Sequence, residues 1–388
     1  MNQPAATTSS RPPFWRDVRV LAWIFQIAVV AVVVALVWYF VGNYEQNTEA
    51  RNLNTGFDFL DQPAGFPIPG SDFRQSQPVR DALAEGLLNT LRLAITGIVL
   101  ATVLGTLIGV ARLSQNFVLR SAARGYVEII RNVPLLALML LAYVAILLNA
   151  FPPPNESWEL GPLAVVNVRG TSVFWYEGDN WRFLVALALA LGTIWVVARW
   201  RRRVADATGR AARTALWALP AAAIVLVVAW MVLGLGVTAP ELDGRRVSGG
   251  ITMTPAYFAA LLALVVYTAS HIAEIVRASI QAVSRGQGEA AEALALSGFQ
   301  RLWYVVLPQA TRIGVPPTGN QYLNLTKNSS LAAVLSFPEL TKVTSLAVGT
   351  RAPAVPSYVL LLLMYLVLSL LISLVVNLVN RRLAIVER

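Results

Sequence analysis

The sequence has no cysteine and a single histidine, His271. Disulfides, thiolate metal sites and cysteine nucleophiles are thereby excluded, as are zinc sites built on two histidines. Lysine is almost absent. Lys327 and Lys342 are the only two, so the net charge of +10 is carried by arginine. Neither lysine follows a glycine; the local sequences are Thr326-Lys327-Asn328 and Thr341-Lys342-Val343. A Walker nucleotide site needs a Gly-Lys-Ser/Thr turn whose backbone amides and lysine meet the phosphates, so this chain has no such site and is not expected to be an enzyme. Charge of any sign is scarce: 13% of the 388 residues are charged and 56% are hydrophobic. That charged share is about half the soluble average. The composition specifies an all-α polytopic membrane protein.

Apolar runs and charge asymmetry predict about eight transmembrane helices. Residues 1–19 read as a polar cytoplasmic tail, and 20–41 as a retained span rather than a cleaved signal peptide, being too long and lacking an A-x-A site. Residues 42–85 form a net acidic, proline-containing loop suited to the outside. Further spans are expected at 87–113, 126–149, 183–197, 215–235, 255–283, about 312–335 and 358–378. The loop after the fourth holds six arginines (Arg199, Arg201, Arg202, Arg203, Arg210 and Arg213) and one acid, Asp206, which marks it as inside. Residues 151–181 carry Glu156, Glu159, Glu177 and Asp179 against Arg169, with Trp158, Trp175 and Trp181 suited to an interfacial belt. Arg381, Arg382 and Arg388 end the chain in a short inside tail, 381–388. With eight spans both termini are cytoplasmic, the arginine-rich loops fall inside and the acidic loops outside. A basic protein of this kind meets lipid; nucleic acid is not expected as a partner. Gly105 and Gly109 form a GxxxG pair.

The most marked polar break is Gly286–Pro308, GQGEAAEALALSGFQRLWYVVLP. Ser284 can cap a helix, Ala290 to Leu296 favour one, Gly298 supplies a stop and Pro308 fits the first turn of the next helix. Glu289 and Glu292 lie near the N-terminus, where the helix dipole favours them. On helix physics alone this is equally an ordinary loop helix. Glu289-Ala290-Ala291, followed by Val305, Leu307 and Pro308, resembles the EAA motif of bacterial ABC-transporter permeases of the type I importer class. In that family the loop is a coupling helix, here about 286–298, that docks into a cytoplasmic ATPase. The usual pattern has glycine where this chain has Ala295, expected on the helix, with Gly298 easing the bend instead. Leu88-Asn89-Thr90-Leu91 and Tyr126-Val127-Glu128-Ile129-Ile130-Arg131-Asn132-Val133-Pro134-Leu135-Leu136 are similar to segments of polar amino acid importers. The resemblance implies a permease domain over 86–380, interrupted by an inserted helix pair at about 182–235, with the first span as a further addition.

Two stretches could line a route. In the sixth span Ser270, Glu274, Arg277 and Gln281 share a face, and Ile272 to Arg277 is again similar to the amino acid importers. Glu274 and Arg277 serve equally as a helix-packing pair. His271 reads as a hydrogen-bonded packing residue. In the seventh segment Asn320, Asn324, Lys327 and Asn328 form one stripe, with Gln321 beside it, and Pro316, Pro317 and Gly319 predict a break before it. Broken helices expose backbone groups that bind charged solutes, and amides plus a lysine suit an amino acid. A polar dimer seam fits the same stripe.

The resemblance implies an ATP-driven importer of polar or general L-amino acids in the bacterial inner membrane. Its partners would be an ABC ATPase dimer that binds ATP and Mg, a homologous permease or a second copy, and a periplasmic amino-acid-binding protein. The competing reading is an ion-coupled secondary transporter. That class calls for acidic residues within spans and an inverted repeat; Glu274 is nearly alone and no repeat is evident.

Overall fold

A computed structural model of the chain describes residues 17–50, 56–209, 214–244 and 246–383. The tail before Asp17, Arg210, Arg213 and the chain end after Leu383 lie outside the described residues.

Helix α1 (Val18–Ala50) and helix α2 (Val79–Ala111) both outrun their apolar stretches. The acidic loop expected over 42–85 is therefore shortened at both ends, and Asp81 and Glu85 stand in the first turns of α2, where a carboxylate meets the positive end of the dipole. The third expected span is bent. Helix α3 (Phe117–Asn132) and helix α4 (Leu135–Leu141), the latter continued by a π-helical stretch Ala142–Leu148, meet at 105°. Pro134 causes the bend: it disfavours the helical conformation in the residue before it, and Val133 is extended (φ −97°, ψ 130°).

Strands appear where only loops were expected. Strands β1 (Trp158–Glu159), β2 (Ala164–Asn167), β3 (Gly170–Val173) and β4 (Trp175–Glu177) precede the helix pair α5 (Asn180–Thr208) and α6 (Thr214–Val232). Strands β5 (Gly236–Thr238), β6 (Glu241–Asp243), β7 (Arg246–Ser248) and β8 (Ile251–Met253) come after it. The antiparallel sheet runs β1-β2-β3-β8, with Val173 opposite Ile251, and β4 pairs with β5. The two loops that flank α5 and α6 thus form one platform. Tyr176 stacks on Phe183 at 4.3 Å between ring centroids and meets Trp230 edge-on, which ties β4 to the ends of α5 and α6.

Helix α7 (Pro255–Gln281) is the most buried of the spans and packs along α2. Glycine permits this approach. A Cβ on Gly105 would lie 2.8 Å from the Ala269 carbonyl oxygen, and one on Gly109 would lie 2.8 Å from that of Ala273. The GxxxG pair therefore serves packing within the chain.

Then come α8 (Arg285–Ala293), α9 (Gly298–Arg301), a π-helical stretch Leu302–Val306 and α10 (Leu307–Asn328). The break expected at Pro316 and Pro317 is absent; both lie inside continuous helix. Close packing holds it. A Cβ on Gly314 would meet the Ser279 hydroxyl at 2.8 Å, and one on Gly319 would meet Val376 at 2.3 Å. The helix gives way later, through a 3-10 stretch Ser329–Leu335 to Ser336 in the left-handed region (φ 61°). Between the expected spans at about 312–335 and 358–378 lies α11 (Leu340–Thr350), which buries Leu340, Val343, Thr344 and Ala347, and α12 (Ala354–Leu383) follows it.

By length and composition α1, α2, α5, α7 and α12 can each cross a membrane. The two bent segments, α3 with α4 and α9–α10 with α11, bring the number to seven, and the apolar stretch of α6, Leu216–Val232, is shorter. Each of the eight expected spans falls on one of these stretches.

Candidate coupling loop and polar path

The loop between α7 and α10 has a defined end to its helix. The Ala295 amide donates to the Glu292 carbonyl at 2.8 Å and the Leu296 amide to the Ala291 carbonyl at 3.1 Å. This is the Schellman arrangement, which needs a left-handed residue one past the cap. That residue is Ala295, at φ 55°. The glycine of the EAA pattern thus belongs to the turn that stops α8, and Ala295 is off the helix, contrary to expectation. Gly298 is not the stop either. It opens α9, which Ser297 and Gln300 cap reciprocally in a capping box.

Two side-chain contacts fold α8 back on α9 and α10. Glu292 pairs with Arg301, and the Gln309 side-chain amide donates to that of Gln287 at 3.4 Å. Ala291 is 2% exposed and turned into the chain, whereas Glu289, Ala290 and Ala293 face outward. Leu294 and Phe299 are exposed beside them, and Phe299 stacks on Trp303. Leu307 and Pro308 sit in the first turn of α10, Leu307 half-buried and Pro308 exposed.

The structure separates the residues expected along the route. Glu274 is held between two cations, Arg277 on its own helix and Arg112 at the end of α2. Arg277 also donates to Gln281. This cluster joins α2 to α7, and its carboxylate is fully engaged. His271 Nδ1 lies 3.1 Å from the Tyr267 carbonyl and its ring packs on Tyr267, as a packing residue would. On α10 Asn320, Asn324 and Lys327 are exposed, Gln321 and Asn328 are half-buried, and none of the five has a side-chain hydrogen bond or ion pair among the described residues. Polar groups on a membrane span need a protein or water partner, and this chain supplies none for the stripe.

A cleft of about 670 Å³ lies on the other side of α10, between α2, α7 and α12. Its walls are almost all aliphatic. Thr102, Thr311 and Thr318 return their hydroxyls to the backbone of their own helices, so the cleft has little to offer a polar solute.

The family model described as the binding-protein-dependent transport system inner membrane component matches residues 188–385. The putative amino-acid ABC transporter permease protein YhdX of Escherichia coli is 39% identical over 381 residues, 95% of each chain. This chain belongs to that permease family. The general L-amino acid transport system permease protein AapQ of Rhizobium johnstonii is 36% identical over 94% of this chain and 92% of its own length. The glutamate/glutamine/aspartate/asparagine transport system permease protein BztB of Rhodobacter capsulatus is 34% identical over 96% of each. A crystal structure of an amino acid ABC transporter with histidines overlays with a TM-score of 0.48 at 21% identity, covering 78% of this chain and 94% of that one.

In this permease the sequence reading missed the groups that hold the stripe-bearing helix in place. Asn89 donates to the Pro338 carbonyl at 3.1 Å, and the Thr90 hydroxyl accepts the Leu340 amide at 3.1 Å. Both residues lie in the Leu88–Leu91 motif. Glu339, fully buried, caps α11 through the Thr341 and Lys342 amides and accepts the Tyr365 hydroxyl at 2.8 Å. The turn after α10 is thereby fixed to α2 and α12. The signal for Glu339 was present, an acid two residues past Phe337 that caps the helix following it, but its third partner, Tyr365, lies on another helix.

Proposed function

We propose that this permease is the membrane subunit of an ATP-driven importer of polar or general L-amino acids, energised through α8. The observation that carries this is a short helix with an outward face of Glu289, Ala290 and Ala293, closed by its own hydrogen-bonded turn and clasped to the foot of α10. Small side chains let a groove on another protein approach closely. The chain has no Walker sequence, so ATP and Mg²⁺ belong on a separate ATPase dimer. The relatives' names support amino acids as the solute. Other partners are a homologous permease or second copy, and a periplasmic amino-acid-binding protein. The inner membrane holds the chain with both termini in the cytoplasm.

In this reading ATP closes the ATPase dimer and displaces α8. The Glu292–Arg301 and Gln287–Gln309 contacts pass the displacement to α10, which carries Asn320, Gln321, Asn324, Lys327 and Asn328 along the solute route. Glu274 contributes by locking α2 to α7 beside that route. The test is purification of tagged permease with its ATPase, then ATP hydrolysis with and without loaded binding protein. Glu289→Lys is expected to lose ATPase association or stimulated hydrolysis. Normal association and stimulation in that variant would remove the coupling assignment.

A further inference from the structure

Helices α5 and α6 have no role in the arrangement above. They pack chiefly on each other. Ala186 of α5 and Ala229 of α6 are buried in one small cluster with Leu235. Residues 183–198 of α5 and the whole of α6 carry no charge. Leu184, Leu191, Ile224 and Val228 are exposed on the chain, so in a bilayer the lipid tails cover them.

Two girdles bound this apolar hairpin. At the platform end Arg182 lies over the Trp181 ring, 5.6 Å from its centroid. At the far end Arg199 lies over Trp195 at 5.7 Å, and Arg201 lies over both Trp200 of α5 and Trp217 of α6, at 5.8 and 5.3 Å. Trp181, Trp195, Trp200 and Trp217 are all exposed. Trp181 and Trp200 stand nineteen residues apart on α5. At 1.5 Å per residue that is about 28 Å, close to a hydrocarbon core of about 30 Å. Tryptophan settles where hydrocarbon meets head groups, so the girdles fix the depth of the hairpin. Arg202 and Arg203 follow Trp200 directly and stand at the level of the phosphates.

Arg199, Arg202 and Arg203 recur at i, i+3 and i+4 and share one face of α5. All three are exposed, and none has an ion pair among the described residues. Asp206 lies four residues past Arg202 and three past Arg203, spacings at which opposite charges ordinarily meet. It pairs with neither. A guanidinium offers a phosphodiester two parallel N–H donors, and an indole beside it keeps its ring in apolar surroundings and its N–H in wet ones. We propose that Arg199, Arg202 and Arg203 bind the head group of an anionic glycerophospholipid, with Trp195 and Trp200 flanking it. The hairpin is then held at one end by the Tyr176–Phe183–Trp230 cluster and at the other by lipid. Clustered arginines at a membrane surface attract anionic lipid. The tryptophans in the same band favour a bilayer over an acidic protein as the partner. A bias of arginine toward one side of the membrane calls for neither the shared face nor the tryptophans.

The test uses the full-length permease with its co-purifying subunits, stripped of lipid in mild detergent. It is titrated with phosphatidylglycerol or with phosphatidylcholine of the same acyl chains, and bound lipid is counted by native mass spectrometry. The parent should hold phosphatidylglycerol at least ten-fold more tightly than phosphatidylcholine. Arg199→Gln, Arg202→Gln and Arg203→Gln in one chain should bring the two lipids within two-fold, and Arg202→Gln alone should remove part of the preference. Phosphatidylcholine binding and the co-purifying subunits should stay parental. Removing equal charge elsewhere, by Arg74→Gln, Arg124→Gln and Arg312→Gln together, should leave the preference intact. Millimolar inorganic phosphate should not displace the lipid. Equal binding of the two lipids by the parent would overturn the site, as would an undiminished preference in the triple variant at 199, 202 and 203. An equal loss in the control variant would assign the preference to net charge, and displacement by phosphate would assign it to a soluble anion; either overturns the lipid site. Loss of a co-purifying subunit from the triple variant would make the face a protein contact instead.

Discussion

Glu292 of α8 and Arg301 of α9 close an ion pair across the turn in which Ala295 adopts a left-handed conformation. Both side chains are partly exposed, so the pair alone adds little stability. Its effect is geometric: together with Gln287–Gln309 it makes α8 and the start of α10 one hinged unit.

Ala295 carries a conformational cost there, about 1–2 kcal/mol for an L-residue in the left-handed region. Ala295→Gly should relieve part of it and tighten the Schellman turn. Hydrogen exchange at the Ala295 and Leu296 amides is expected to slow a few-fold, and Ala295→Val to speed it. Unchanged exchange in both variants would contradict the assigned turn.

Ala290 and Ala291 are adjacent yet face opposite ways. Ala291→Trp must push into packed structure, costing about 1–3 kcal/mol, and should make the loop protease-sensitive in the permease alone. Ala290→Trp should leave the loop protected yet still weaken ATPase association. Limited proteolysis and co-purification check the pair.

Glu274→Ala leaves Arg112 and Arg277 without their counter-charge, and removing one member of a largely buried pair costs about 3–5 kcal/mol. The variant is expected to melt earlier and assemble poorly. Combining it with Arg112→Met and Arg277→Met should recover part of the stability, as a structural cluster would and a solute contact would not.

Asn324→Ala and Lys327→Ala should impair uptake while assembly persists, because neither side chain has a partner among the described residues. Uptake at the parental rate in both would leave the stripe as a subunit seam.

Much of this architecture was legible because hydropathy reports spans. What was hidden depends on partners distant in sequence. The sheet joins Val173 to Ile251 across α5 and α6, and strands of two to four residues carry no periodic signal. Pro316 and Pro317 read as a break because proline removes a helical hydrogen bond, but glycines packed against Ser279 and Val376 hold the helix through them. Ala290 and Ala291 are chemically identical, so only the register of α8 against the π-helical stretch Leu302–Val306 tells outward from inward. Arg124 lay before the expected span 126–149, and Glu128 and Arg131 within it, so the charged face of α3 became visible only when Phe117–Asn132 proved to be one amphipathic helix.

The central claim is that the outward face of α8 touches the ATPase, and the absence of cysteine allows it to be tested directly. Ala290→Cys and Ala291→Cys are made singly, and the purified complex is treated with a short thiol–amine cross-linker. A permease–ATPase adduct is expected with Cys at 290 and not at 291, and its yield should change between nucleotide-free and ATP-bound states. No adduct at 290, or equal adducts at both positions, would contradict the account.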